Sequence, residues 1–121
     1  MRELLEKWAA LEPEWCRVDD ERASVMADVG TPLERPRFSA QYHRLGGYEA
    51  DILASVIEAI EARPAWEWTL WSDGRDREAT VHVIEAAGII RRNYSTGLTA
   101  AAPAEALLTA YLAALEAEGA A

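Results

Sequence analysis

The chain has 121 residues, half of them apolar, which is material for one domain with one core. No apolar run approaches the about 20 residues of a membrane helix, and the single cysteine excludes an internal disulfide and a multi-cysteine zinc site. A formal net charge of −9 repels phosphate backbones, so direct nucleic-acid binding is disfavoured and a protein partner with a basic surface is favoured.

The opening Met1-Arg2-Glu3-Leu4-Leu5-Glu6-Lys7-Trp8 is charged and amphipathic. It does not read as a signal peptide or a membrane anchor, and a cytoplasmic protein is expected. Leu4, Leu5, Trp8 and Leu11 stand at helical spacing over 2–11, and Pro13 interrupts the pattern. Residues 14–29 are expected to carry a second short helix with Trp15, Val18, Val25, Met26 and Val29 as apolar positions. Asp19-Asp20-Glu21 is the alternative opening of that helix, as an acidic first turn. From 30 to 47 the chain reads as irregular, broken by Pro32 and Pro36 and closed by Gly46-Gly47. A loop of this length is often functional. It holds a local basic and aromatic cluster, Arg35, Arg37, Phe38, Tyr42, His43 and Arg44, on an otherwise acidic chain.

The clearest helix is predicted over 48–62, where Ile52, Leu53, Val56, Ile57 and Ile60 form one stripe and Pro64 ends it. Trp66-Glu67-Trp68-Thr69-Leu70-Trp71-Ser72 then reads as a strand with Trp66, Trp68 and Leu70 on one face and Glu67, Thr69 and Trp71 on the other. The Asp73-Gly74 pair marks a hairpin, 79–84 is the second strand, and 88–94 is the third after a turn at Gly88. Pro103 opens a last helix to about Glu118, buried through Leu107, Leu108, Tyr111, Leu112 and Leu115 and stopped by Gly119. The expected fold is therefore α+β: a three-stranded antiparallel meander sandwiched between helices, in one domain. Residues 1–44 are a helical extension and irregular loop, and 45–118 are the helix–three strands–helix core. Apolar residues on both sheet faces favour a helix on each side. The alternatives are two helices sharing one face, or an open face covered by a partner or a second copy.

The helix at 48–62, W-E-W-T-L-W-S at 66–72, A-T-V-H-V-I at 79–84 and A-P-A-E-A-L-L-T-A-Y-L-A-A-L-E-A at 102–117 together resemble the small bacteriophage proteins grouped as the phage ABA sandwich domain. The resemblance covers about 45–118 and departs at 30–47 and in the longer N-terminal part. It implies helix, sheet and helix layers and a phage or prophage origin, and it carries over no catalytic residue.

Residue chemistry points away from catalysis. Cys16 reads as a small buried apolar residue with no local base, and His82 reads as a half-buried sheet residue. His43 has no identified acid or nucleophile beside it. Gly46-Gly47 lacks the rest of a phosphate loop, and calcium-loop spacing is absent. No metal or cofactor is expected. Glu67 and Asp73 are placed to pair with Arg91 or Arg92 across the meander. Of the five tryptophans, Trp71 is the one expected to face away from the core, and interfaces favour Trp, Tyr and Arg. The candidate partner-binding residues are thus Trp71, Arg75 and Arg77 at the hairpin and Tyr42, His43 and Arg44 in the loop. The leading reading is a non-enzymatic, acidic, phage-derived interaction protein in the host cytoplasm, inhibiting a host defence complex of the CRISPR type by occupying a basic groove. A homodimer is compatible with it. The alternative is a nucleotide- or metabolite-binding module built on the arginine-bearing 30–47 loop.

Overall fold

The computed structural model describes residues 2–21, 24–29, 38–41 and 49–119. Helix α1 (Arg2–Leu11) is followed by strands β1 (Cys16–Glu21), β2 (Ser24–Val29) and β3 (Phe38–Gln41). Helix α2 (Glu49–Glu61), strands β4 (Trp66–Ser72), β5 (Arg77–Glu85) and β6 (Ile90–Ser95), and helix α3 (Pro103–Glu118) complete the order. The class is α+β, with helices packed against antiparallel meanders.

There are two such meanders, β1-β2-β3 and β4-β5-β6. The first replaces the helix expected over 14–29 and part of the irregular segment expected over 30–47. The reason lies in the period. Cys16 and Val18 alternate along β1 and lie opposite Val29 and Ala27, while Asp20 lies opposite Val25. The apolar positions repeat every two residues, and β-branched valines favour the extended form. β3 then pairs with β2 from Val29↔Phe38 to Met26↔Gln41. Four residues with little strand signal of their own are held by a neighbour's ladder, which local propensity does not reveal.

The second meander follows the expected alternation. Trp66, Trp68 and Leu70 stand opposite Val83, Val81 and Ala79, and Val81 in turn stands opposite Tyr94. β6 begins at Ile90 because the chain first makes a tight turn through Ala87 (φ 56) and Gly88 (φ 92). Both residues are left-handed, and glycine takes that conformation at no steric cost. Another left-handed residue, Ala65 (φ 66), swings the chain from α2 into β4, and its carbonyl accepts from Ile84 N at 3.0 Å.

α2 and α3 pack on each other and share the Trp66–Val81 face of this sheet. α1 packs on α3 and β1, and α2 also reaches β3, so the helices link the two meanders. The other face of β4-β5-β6 carries Glu67, Thr69, Thr80, His82, Asn93 and Ser95 together with Trp71 and Ile84. In α3, Leu107, Leu108, Tyr111, Leu112 and Leu115 are buried, and Ala104, Ala106, Ala110 and Ala114 let neighbouring backbones approach. The N-cap position Ala102 offers no side-chain acceptor, and Glu49 Oε1 supplies one from α2 by accepting from Ala104 N at 2.8 Å.

The core closes on one carboxylate. Glu12 follows α1 and is buried. Its Oε1 accepts from Trp8 Nε1 at 3.0 Å and from the Tyr111 hydroxyl at 2.7 Å, and its Oε2 accepts from the Arg63 guanidinium at 2.8 Å. Arg63 Nε also donates to the Tyr111 oxygen at 3.2 Å. The Trp8 and Trp66 rings stand edge-on to Tyr111 at 6.3 and 6.1 Å, and the guanidinium lies 4.8 Å over Trp66. Burial and the Glu12 charge push the Tyr111 hydroxyl well above its ordinary pKa. Burial opposes the Arg63 charge, yet hydrogen bonds with Tyr111 and Glu12 outweigh it and raise its pKa.

Glu12→Ala removes the acceptor to which three side chains donate. Its expected cost is about 3–5 kcal/mol of unfolding free energy in urea, the range for breaking a buried ion pair. Glu12→Leu combined with Arg63→Met is expected to recover most of that loss. A Glu12→Ala loss under about 1 kcal/mol, the size of an exposed pair, would deny the network this role.

Candidate functional site

The second face of β4-β5-β6 is built by parity. Odd residues of β4 and β6 and even residues of β5 share it, giving the cross-strand rows Glu67–His82–Asn93 and Thr69–Thr80–Ser95, with Trp71 opposite Glu78. His82 Nδ1 lies 2.6 Å from Asn93 Oδ1, and its Nε2 lies 3.2 Å from Thr69 Oγ1. With Nδ1 donating to the amide oxygen, a neutral ring accepts the threonine hydroxyl at Nε2. His82 is therefore a half-buried rung of a polar ladder, in keeping with the sequence reading. Glu67 meets Arg91 at 3.7 Å with both side chains about half exposed, so the pair adds little stability.

The hairpin fixes the distal end of this face. Asp73 Oδ1 accepts from Arg75 N at 2.9 Å and Asp76 N at 2.8 Å, and Ser72 Oγ accepts from Gly74 N at 3.1 Å. The backbone N–H groups of Asp76 and Arg75 hold the Asp73 carboxyl below its ordinary pKa. On this constrained turn Trp71 is 52% exposed. Leu98, 66% exposed, lies across β5 from it: the Arg77↔Thr99 bridge and the Thr96 N→Ala79 O bond leave Gly97 and Leu98 together opposite Glu78, whose other neighbour is Trp71. Ile89, 85% exposed, marks the other end of the sheet at the β5–β6 turn.

The sequence-predicted residues separate here. Trp71 and Arg75 are both exposed at the hairpin. Arg77 is half-buried, and its guanidinium donates to Ala101 O at 2.6 Å, tying β5 to the entry of α3. Tyr42, His43 and Arg44 lie outside the described residues, as does most of the 30–47 segment. Leu98 escaped the sequence reading because 95–102 reads as a small-residue linker. Its signal is a single leucine among Gly97, Thr99 and Ala100.

The expected Asp73–arginine pairing does not form, since Asp73 serves the turn. Arg92 instead occupies a core-face position opposite Val83 and reaches two carboxylates. It donates to Glu85 at 3.0 and 2.9 Å and to Glu118 at 2.7 and 2.5 Å, and the Tyr94 hydroxyl also donates to Glu118. The Arg92 hydrogen bonds and then the Tyr94 hydroxyl lower the Glu118 carboxyl to about 2. Arg92 lowers Glu85 as well, and the hydrogen bond to Glu118 raises Tyr94. An acid at the negative end of a helix dipole is unfavourable by itself, and this latch compensates it. Lys7 on α1 does the same for Glu116.

Among the described residues no group of three or more His, Cys, Asp or Glu side chains is placed to hold a metal ion, and no helix is long and apolar enough to cross a membrane. Cys16 is buried beside Leu5 O. The chain matches no known protein family, no curated protein and no solved structure.

The latch sets a pH dependence. Because folding depresses the Glu118 pKa from 4.5 to about 2, its stabilisation is full above about pH 4.5 and is lost as pH falls toward 2. Urea midpoints of the native chain and Glu118→Gln are expected to differ by a constant gap from pH 7 to 5, and that gap closes between about pH 4.5 and 2. A gap of the same size at pH 2 and pH 7 would assign the stabilisation to packing instead.

Proposed function

We propose that this chain is a non-enzymatic, acidic interaction protein whose open β4-β5-β6 face binds a protein with a basic surface. The observation that supports it most is Trp71. This large aromatic is half exposed on a strand beside a constrained turn, with Leu98 exposed across β5 and Arg75 at the tip. A fixed, amphipathic ring of this kind makes an interface anchor because little side-chain entropy is lost when it is covered. The net charge of −9 supplies long-range attraction to a basic partner.

The finer reading is a phage-derived inhibitor of a host defence complex of the CRISPR type, acting in the host cytoplasm. Its support is the anionic chain, which suits a groove that otherwise holds a nucleic-acid backbone. A second copy of the chain is the competing occupant of the open face. Like net charges oppose that pairing.

The test starts from cross-linking in bacterial lysate, followed by purification of the captured protein and direct binding measurements. Affinity is expected to fall about tenfold or more between about 50 and 500 mM salt. Trp71→Ala is expected to weaken binding about tenfold or more while the thermal midpoint stays near that of the native chain. In cells with an active CRISPR-type defence, expression of the chain is expected to restore phage plating, and Trp71→Ala to reduce the restoration. A salt-insensitive complex, or a native dimer that Trp71→Ala dissociates, would overturn the reading.

A further inference from the structure

The β4-β5-β6 sheet has two edges, and they differ. The β6 edge carries Arg91 and Arg92 and ends in the Thr96–Leu98 bulge. Charge and bulges are the usual means by which an edge is kept from pairing with another chain. The β4 edge, Trp66–Ser72, contains no proline, no lysine, no arginine and one acid.

Parity shows which β4 backbone groups are left over. Ile84 N bonds Ala65 O, and Asp73 N bonds Asp76 O, so the odd-numbered residues turn their backbone groups toward β5. The even-numbered residues turn theirs outward. Trp66 N is taken by Arg63 O at 3.3 Å. The N–H groups of Trp68 and Leu70 and the carbonyls of Trp66, Trp68 and Leu70 have no hydrogen-bond partner among the described residues. This is a vacant row of donors and acceptors at strand spacing.

A groove of about 350 Å³ lies on this row, lined by Glu61, Trp66, Glu67 and Trp68. Trp66 and Trp68 belong to the core face of β4, beside Glu61, while the Glu67 side chain lies on the other face within reach of Arg91. Glu61, the last residue of α2, accepts from Trp68 Nε1 at 3.3 Å through Oε2, which leaves Oε1 without a partner among the described residues. Two indoles and two carboxylates are a cation's surroundings, because the ring faces and the acids attract the same charge. Trp66 already makes such a contact, with Arg63.

We infer that the β4 edge takes an extended cationic segment of a partner as a fourth strand, with one Arg or Lys side chain of that segment seated against Trp66, Trp68 and Glu61, and Glu67 adding negative charge from the opposite face. Backbone hydrogen bonds supply affinity and the groove selects the charge. The inference rests on the reading above, in which the partner is basic, and gives that partner a chemistry. A second copy of β4 fits less well, since it would bring its own Glu67 against acids.

The experiment uses the full chain and a fluorescein-labelled peptide of about twelve residues with alternating Val/Thr and Arg, read by fluorescence anisotropy. Two control peptides carry Glu in place of Arg, or methyl groups on alternate backbone nitrogens. The Arg peptide is expected to bind, and each control to bind about tenfold more weakly or worse. Glu61→Arg combined with Glu67→Arg changes two exposed side chains, and the thermal midpoint is expected to stay close to native. This variant is expected to lose the Arg peptide and accept the Glu peptide. Equal binding of the Arg and Glu peptides, undiminished binding of the methylated peptide, or no binding at all would each overturn the inference. So would self-association that the double variant abolishes. No whole partner enters the assay, so peptide failure alongside a salt-sensitive complex would sink this inference and leave the previous reading standing.

Discussion

A single buried carboxylate holds the helices and the second sheet in register. Glu12 lies between α1 and β1, Arg63 between α2 and β4, and Tyr111 in the middle of α3, and their polar atoms meet within a few ångströms. An ion removed from water costs several kcal/mol unless its lone pairs find donors, and here three side chains supply them. The geometry has one solution. If α1 shifted by a turn, Glu12 would lose Tyr111 and Arg63, and Trp8 would lose its edge contact with Tyr111, all together. Apolar packing of Leu5, Val56, Leu108 and Leu112 supplies the larger share of burial but tolerates small slides, and the directional network does not.

That anchoring explains the unequal faces of the second meander. Trp66 is gripped by Tyr111 and Arg63, which commits its face to α2 and α3. At the opposite edge of the same cross-strand row Arg92 fastens β6 to Glu118 on α3. With both edges fastened on one side, strand alternation directs Glu67, Thr69 and Trp71 to the other. The exposure of Trp71 is thus a consequence of where Trp66 and Trp68 are held.

The sequence made the second half of this arrangement legible. The α2 stripe of Ile52, Val56 and Ile60, the alternation of Trp66 through Leu70, the Asp73-Gly74 turn and the leucines of α3 are local signals that tertiary structure leaves in place. The placement of Trp71 followed from the same alternation. The first meander was illegible because Trp15, Val18, Val25, Met26 and Val29 also fit helical spacing, and the two-residue period of Cys16, Val18, Val25, Ala27 and Val29 stands out only once the strands pair. Glu12 was illegible for a different reason. As an acid beside Pro13 it resembles any surface glutamate, and its partner Tyr111 lies 99 residues away. Arg63 likewise reads as a helix-ending residue before Pro64. Of the site residues, Leu98 became visible only when the Arg77↔Thr99 bridge brought it beside β5.

Charge is distributed by the same logic as packing. Several basic side chains already have carboxylate or backbone partners: Arg63 with Glu12, Arg92 with Glu85 and Glu118, Lys7 with Glu116, and Arg77 with Ala101 O. Each such ion pair cancels a cation against a carboxylate, so the net charge of −9 rests on the acids that have no cationic partner. An acidic composition thereby becomes an acidic surface. The residues that remain open on the second sheet, Trp71, Glu67 and the β4 backbone, then face solvent within that negative field. An aromatic anchor, an unpaired strand edge and a negative potential draw on different physical forces, yet all three select the same class of occupant: an extended polypeptide carrying positive charge.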